Sequence, residues 1–288
     1  MKKFLFLLIV LAAAVYWGFS IGSPSGDIVR SQPSSVARSS DSGVVEILKD
    51  SVSSLFSNIQ KKDTPAASSP KAASSEGSEE ESLLQKWNDI THFKEALERQ
   101  VDRSHFVPFE QIPDYLKKGI IATEDRRYYE HGAIDVIGVT RAMITNALAG
   151  QTLEGGSTIA QQTVKNIFLS NERTMSRKIE ELALAVQLEH NYSKDEILEL
   201  YLNTIYFGHG AYGLKEASYT YFGKAPIELD LAQCAMLAGL PQAPSAYDPI
   251  DHPTEGAKRM TTVLALMAQE GYITPGEAAQ SALHLWLK

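Results

Sequence analysis

The chain has 288 residues, 44% of them hydrophobic, a formal net charge of -8 and a single cysteine. That balance offers no basic surface for nucleic acid, and one thiol cannot build an internal disulfide framework. The first third differs in composition from the remainder, so one globular domain of about 200 residues is expected after it.

In chain order, Met1-Lys2-Lys3 precedes an uncharged apolar stretch over residues 4–19. This reads as a membrane segment with its positive flank in the cytoplasm, which would place everything after it on the far side. The stretch is short, and Ala12-Ala13-Ala14 offers small residues near a cleavage point, as in a removed signal peptide. The extension Val15-Tyr16-Trp17-Gly18-Phe19 favours a retained transmembrane anchor over residues 1–22. Residues 23–82 are rich in Ser, Ala, Pro and charge, with Glu76, Glu79, Glu80 and Glu81 clustered. They carry too few apolar side chains to offset the entropy of ordering, so a disordered tether with an end-to-end distance of roughly 40 Å is expected. Within it, Val44, Val45, Ile47, Leu48, Val52, Leu55 and Phe56 form an apolar island suited to a transient helix at a membrane surface. Ser68-Ser69-Pro70-Lys71 has the spacing of a penicillin-binding nucleophile, but it lies in the tether without a Ser-Asp-Asn or Lys-Thr-Gly partner and reads as coincidence.

From residue 83 to 288 apolar residues recur at spacings of three and four, which predicts a mainly α domain. Residues 136–148 are helical in pattern but apolar on more than one face, through Val136, Ile137, Val139, Met143, Ile144, Ala147 and Leu148. Such a helix is either central to the core or left open to lipid. A helix over 174–190 carries Met175, Ile179, Leu182, Ala183 and Val186 as its buried stripe. Ser193-Lys194-Asp195-Glu196 is a capping box opening the next helix, which begins its exit at Asn203. Residues 214–222 form a helix closed by Gly223, and residues 231–238 another closed by Gly239, with Pro241 beyond. Gly208, Gly210 and Gly213 mark a tight connection, and Cys234 falls in an apolar run as a buried structural thiol.

Three stretches carry chemistry. Glu124 and Asp125 follow the apolar run Gly119-Ile120-Ile121-Ala122, so a carboxylate pair stands at the edge of a core. Desolvation and a neighbouring carboxylate raise the pKa of such a glutamate, which suits a general base near neutral pH. Gly155-Gly156-Ser157-Thr158 leads into a helix capped by Ser157 or Thr158, whose free amides can receive an anion, with Gln161, Gln162 and Lys165 on its first turns. Arg173, Arg177, Lys178 and Glu181 hold a carboxylate among cations on one helix. Their cation-before-acid order is the less favourable one for helix salt bridges, which weakens a purely stabilising role.

Together these residues resemble the peptidoglycan glycosyltransferases of glycosyltransferase family 51, in the form without a transpeptidase domain. The first motif is matched by Glu124-Asp125-Arg126-Arg127-Tyr128-Tyr129-Glu130-His131, the second by residues 155–162 with Lys165-Asn166, and the third by Arg177-Lys178-Ile179-Glu180-Glu181. A fourth runs from Ile197 through Asn203 to Gly208, and a fifth covers Pro244-Ser245-Ala246-Tyr247-Asp248-Pro249 and Arg259. Two positions depart from the pattern: Ala133 stands where a glycine is usual, and Tyr128 where a phenylalanine is. Both lie beside Glu124 and bear on loop shape.

The resemblance implies a lysozyme-like helical lobe beside a smaller hydrophobic lobe that contacts the membrane, anchored by one span in the inner membrane and facing outward. It implies polymerisation of lipid II into β-1,4-linked strands, with moenomycin as inhibitor and other cell-wall synthesis proteins as partners. Glu124 and Glu181 are the expected catalytic residues. Asp125, Ser157, Thr158, Gln161, Gln162, Lys165, Arg173, Arg177, Lys178 and Arg259 are the expected substrate contacts. No organic cofactor is implied; a divalent cation, Mg2+ or Mn2+, is an option at Glu181. The rival readings are a lysozyme-like hydrolase, which has no use for three clustered cations, and a non-catalytic wall-assembly scaffold.

Overall fold

The computed structural model describes residues 85–150, 155–169 and 174–283. The expected anchor, the tether and its apolar island, and Arg173 lie outside these residues. Among the described residues the fold is helical, with a single isolated antiparallel bridge between Tyr206 and Tyr212. No described helix is long and apolar enough to cross a membrane.

Helical turns at residues 85–91 lead into α1 (Phe93–Gln100). α2 (Asp114–Glu124) buries Leu116, Gly119, Ile120, Ile121 and Ala122 and then runs out of apolar residues, so Glu124 emerges at the core's margin. α3 (Val136–Ala149) is followed by α4 (Ile159–Phe168), α5 (Met175–Asn191), α6 (Lys194–Thr204) and α7 (Leu214–Phe222). α8 (Leu231–Gly239), the short α9 (Pro244–Tyr247), α10 (Pro253–Gln269) and α11 (Pro275–Ala282) complete the order.

Two helical groups form around one core. α8 is buried continuously from Ala232 to Gly239 and packs on α2 and α10, while α4 packs on α5 and α6. Small residues allow the first contact: a Cβ on Gly119 of α2 would stand 2.9 Å from the Cβ of Ala238. Cys234 is buried there as expected. The C-terminus of α2 thereby meets the N-terminus of α4, and that junction positions the site.

The helix ends show what local chemistry decides. Ser193 and Glu196 form the expected reciprocal box at α6, and Gly223 closes α7 in the left-handed region at φ 66°. Gly239 is a correction. Its φ of -81° is right-handed and the chain continues into a 3-10 turn over Leu240–Gln242, so Gly239 is the last residue of α8 but not a left-handed stop. Glycine is required because a Cβ would lie 2.8 Å from Cγ of Arg259. At the bridge, Gly213 sits at φ 81° with a would-be Cβ 2.5 Å from the Asn203 carbonyl oxygen, so no other residue fits that turn.

The start of α3 does not belong to a core helix. Val136 and Ile137 are 64% and 62% exposed, and with Thr140, Arg141 and Thr145 they line an open apolar groove. Further along, Ala142 is buried.

Candidate active site

Glu124 is the last residue of α2, partly buried. Its Oε2 accepts from Nε2 of Gln162 at 2.9 Å, and Oε1 of the same side-chain amide accepts from the buried Tyr201 hydroxyl at 3.2 Å. Burial pushes the Glu124 carboxyl above the usual range, opposed by the Gln162 hydrogen bond and the Arg259 charge and reinforced by Asp125. Arg259, on α10, acts on this glutamate through its charge. Its Nε donates to the Gly239 carbonyl at 3.0 Å, and its guanidinium lies over the Tyr247 ring at 5.6 Å. The contact with Arg259 explains the glycine at 239: a side chain there would push the guanidinium off its track.

Glu181, on α5, is 3% exposed. One carboxylate oxygen accepts from Lys178 Nζ and the other from Arg177 at 3.4 Å. Lys178 also reaches Ser157 Oγ and Gln161 Oε1, each at 3.4 Å. The two glutamates are therefore tied to consecutive residues of α4, Glu124 to Gln162 and Glu181 through Lys178 to Gln161. Lys165, exposed, stands one turn beyond Gln161 along the same face.

Three expected substrate contacts are spent largely inside the fold. Thr158, not Ser157, caps α4: its hydroxyl accepts from Gln161 N at 3.2 Å and donates to the Ala133 carbonyl at 3.0 Å. Gln161 donates to that same carbonyl at 3.2 Å. Asp125 is 7% exposed; one oxygen bonds His131 at 2.6 Å, the other accepts from Ile159 N at 3.1 Å. The physical reason is common to all three: the loop before α3 and the first turn of α4 carry backbone groups that need partners as they are buried.

A divalent cation does not fit Glu181 as it stands, since both oxygens already accept from cationic side chains. Among the described residues, no cluster of potential metal ligands includes Glu181 or Glu124. Two contributors have no assigned role in the sequence. Tyr201, buried in α6, orients Gln162; its signal is a lone phenol in the run Leu200-Tyr201-Leu202. His131 is quoted there only as part of a motif, and its side chain is 6% exposed against Asp125.

The helical core thus presents one desolvated carboxylate and, across the start of a single helix, a second carboxylate clasped by cations. The transglycosylase family profile matches residues 90–268, and the chain belongs to that family. It is 48% identical over 172 residues to penicillin-binding protein 1F of Bacillus subtilis, covering 60% of this chain and 24% of that protein. It is 46% identical over 175 residues to penicillin-binding protein 1A of Aquifex aeolicus, covering 61% of this chain and 24% of that one. A Cupriavidus necator protein, assigned to the transglycosylases in its name by inference, is 46% identical over 172 residues, covering 60% of this chain and 74% of its own length. The matched region thus spans about a quarter of the penicillin-binding relatives and most of the shorter one.

Proposed function

We propose that the protein is a peptidoglycan glycosyltransferase of cell-wall synthesis that polymerises lipid II, with Glu124 as general base. Glu124 takes the proton from the 4-hydroxyl of the acceptor N-acetylglucosamine. That oxygen attacks the anomeric carbon of the donor N-acetylmuramic acid, and the bond to the undecaprenyl pyrophosphate breaks with inversion, giving a β-1,4 linkage. The leaving diphosphate departs as an anion and needs positive charge more than a proton. Lys178 and Arg177 supply that charge, with Lys165 extending the cradle and Ser157 contributing a neutral donor. Glu181 fixes the two cations of its own helix in place.

The observation that carries this reading is the contrast between the two carboxylates: one raised by burial beside a neutral amide, the other held between a lysine and an arginine. A glycosidase acid would have to protonate a poor sugar leaving group, and a clasp of cations serves no such step. The exposed Val136, Ile137 and their groove supply an apolar surface suited to the bilayer holding a lipid-linked substrate.

The test is polymerisation of labelled lipid II by the detergent-solubilised full chain, with moenomycin as control and finished glycan strands as a parallel substrate. Strand formation blocked by moenomycin is expected. Cleavage of finished glycan without polymerisation would replace the reading with a hydrolase, and inactivity on both substrates would favour a scaffold.

A further inference from the structure

Arg259 is a partly buried cation to which the proposed reaction gives no task. Its Nε donates to the Gly239 carbonyl oxygen at 3.0 Å, and its guanidinium stands 5.6 Å from the centre of the Tyr247 ring. Among the described residues no carboxylate forms an ion pair with it. A guanidinium locked in a salt bridge loses most of its field to its partner. One held by a carbonyl and a ring keeps its charge free to act on a neighbouring group.

The neighbouring group is Glu124, and the end of α8 brings the two together. Ala238 and Gly239 carry two of the carbonyl oxygens that a helix C-terminus leaves without partners inside the helix. The first lies 3.3 Å from the hydroxyl of Thr123, the residue before Glu124, and the second accepts from Arg259. Consecutive carbonyls of one helix thus hold the end of α2 and the guanidinium side by side. Two glycines clear the path of that side chain. A Cβ on Gly239 would meet Cγ of Arg259 at 2.8 Å. On Gly256, three residues before Arg259 along the same face of α10, a Cβ would stand 3.0 Å from the Tyr247 carbonyl oxygen and 3.2 Å from Cα of Pro249. Without a side chain there, the 247–249 backbone lies against α10 and the Tyr247 ring comes to rest beside the guanidinium.

We propose that Tyr247 is a positioning residue: its ring holds the Arg259 guanidinium beside Glu124, so that the arginine charge keeps the base ionised until the acceptor arrives. The proposal rests on the reading of Glu124 as the base. Burial raises the Glu124 carboxyl, the Gln162 amide and the Arg259 charge oppose that rise, and Asp125 adds to it. The other charges beside Glu124 on its own segment are paired, Asp125 with His131 at 2.6 Å and Arg126 with Glu270 at 3.9 Å. Gln162 of α4 and Tyr201 of α6 face it as neutral groups, and α8 carries no charged residue. An Arg259 side chain that swings away therefore leaves the Glu124 anion with less support, and the acid limb of the rate moves to higher pH.

The experiment has a spectroscopic arm and a kinetic arm, both on the full chain in detergent. Glutamate carboxyls labelled with 13C are followed across pH, with the Glu124 resonance assigned by its loss in Glu124→Gln. Arg259→Gln is expected to raise the Glu124 midpoint by about one pH unit. Tyr247→Leu should raise it by roughly half as much, and Tyr247→Phe, which keeps the ring, should restore the wild-type midpoint. In the lipid II assay the acid limb of kcat/KM should move with the midpoint in each variant. Tyr247→Leu added to Arg259→Gln should give no further shift, because the ring acts through the guanidinium. An unmoved midpoint in either single variant overturns the proposal, and so does a full further shift in the double variant. A raised KM with an unmoved limb in Arg259→Gln would make the arginine a plain substrate contact and overturns it as well. If Tyr247→Leu does not fold, Tyr247→Gln replaces it with the same expected shift, and an unmoved midpoint there is equally fatal. Glu124→Gln separates the two ideas: full activity in that variant defeats the base assignment while leaving the carboxyl titration standing.

Discussion

Glu124 and Glu181 are the same residue type at the margin of one core, yet their surroundings are opposite. Glu124 has a neutral amide at hydrogen-bond distance and its carboxyl is raised by burial. Glu181 is more deeply buried but has a cation at each oxygen. Depth of burial alone does not make a base. What distinguishes them is the set of neighbours, a neutral amide at Glu124 and two cations at Glu181, and burial beside the amide raises the carboxyl that is to take up a proton.

The strongest way to break this comparison is to neutralise each glutamate in turn. Glu124→Gln is expected to lower the polymerisation rate by about 10²- to 10⁴-fold, the span of a lost general base. It should also raise the melting temperature at neutral pH. The folded-state pKa of Glu124 lies above its unfolded value, so its ionisation costs stability at pH values above the carboxylate range, and glutamine removes that cost. Glu181→Gln should lower the rate about a hundredfold by releasing Lys178 and Arg177 from their fixed positions. Its melting temperature should fall, by about 1–2 kcal/mol of stability, a reduced figure because Lys178 is 45% exposed. Calorimetry of the two variants at neutral pH checks the opposite signs. Shifts in the same direction would mean that the two environments do not differ in the way the geometry indicates.

These contrasts were only partly legible in the sequence. The margin position of Glu124 was, because an apolar stripe that stops at Ala122 announces where a helix leaves the core. So were the box at Ser193 and the glycine stop at Gly223, since both depend on residues within one turn. Gly239 was misread for the same reason: its constraint comes from Arg259, twenty residues on, and a local rule for helix ends cannot see it. Asp125 and Thr158 are expected substrate ligands whose structural partners no local pattern in the sequence announces. Their partners, Ile159 N with His131 and the Ala133 carbonyl, are set by how two separate segments meet.

The role of Gln162 sharpens the comparison on a smaller scale. Its amide favours the Glu124 anion, so Gln162→Leu should raise the Glu124 pKa further. The base must be unprotonated, and the acid limb of kcat/KM therefore moves to higher pH. At neutral pH the rate should fall about tenfold, the worth of one hydrogen bond to a charged group. A pH profile checks the sign: a limb moving to lower pH would show that leucine had relieved, not deepened, the isolation of the carboxylate. Tyr201→Phe acts one step further out, through the other end of the same amide, and should move the limb in the same direction by less.

The smallest expected effect concerns Ala133, where the family's usual glycine is replaced. The backbone there is not in the left-handed region, so alanine adopts it without strain. The methyl is buried, and the residue's tie to the site is its carbonyl oxygen, which accepts from Thr158 and Gln161. Any residue supplies that carbonyl. Ala133→Gly should therefore leave kcat unchanged while costing about 1 kcal/mol through the freer unfolded chain, a drop of about 2–4 °C in melting temperature. A rate that moved with the methyl would mean that side-chain packing at this loop, and not its carbonyl, sets the start of α4 against Glu124.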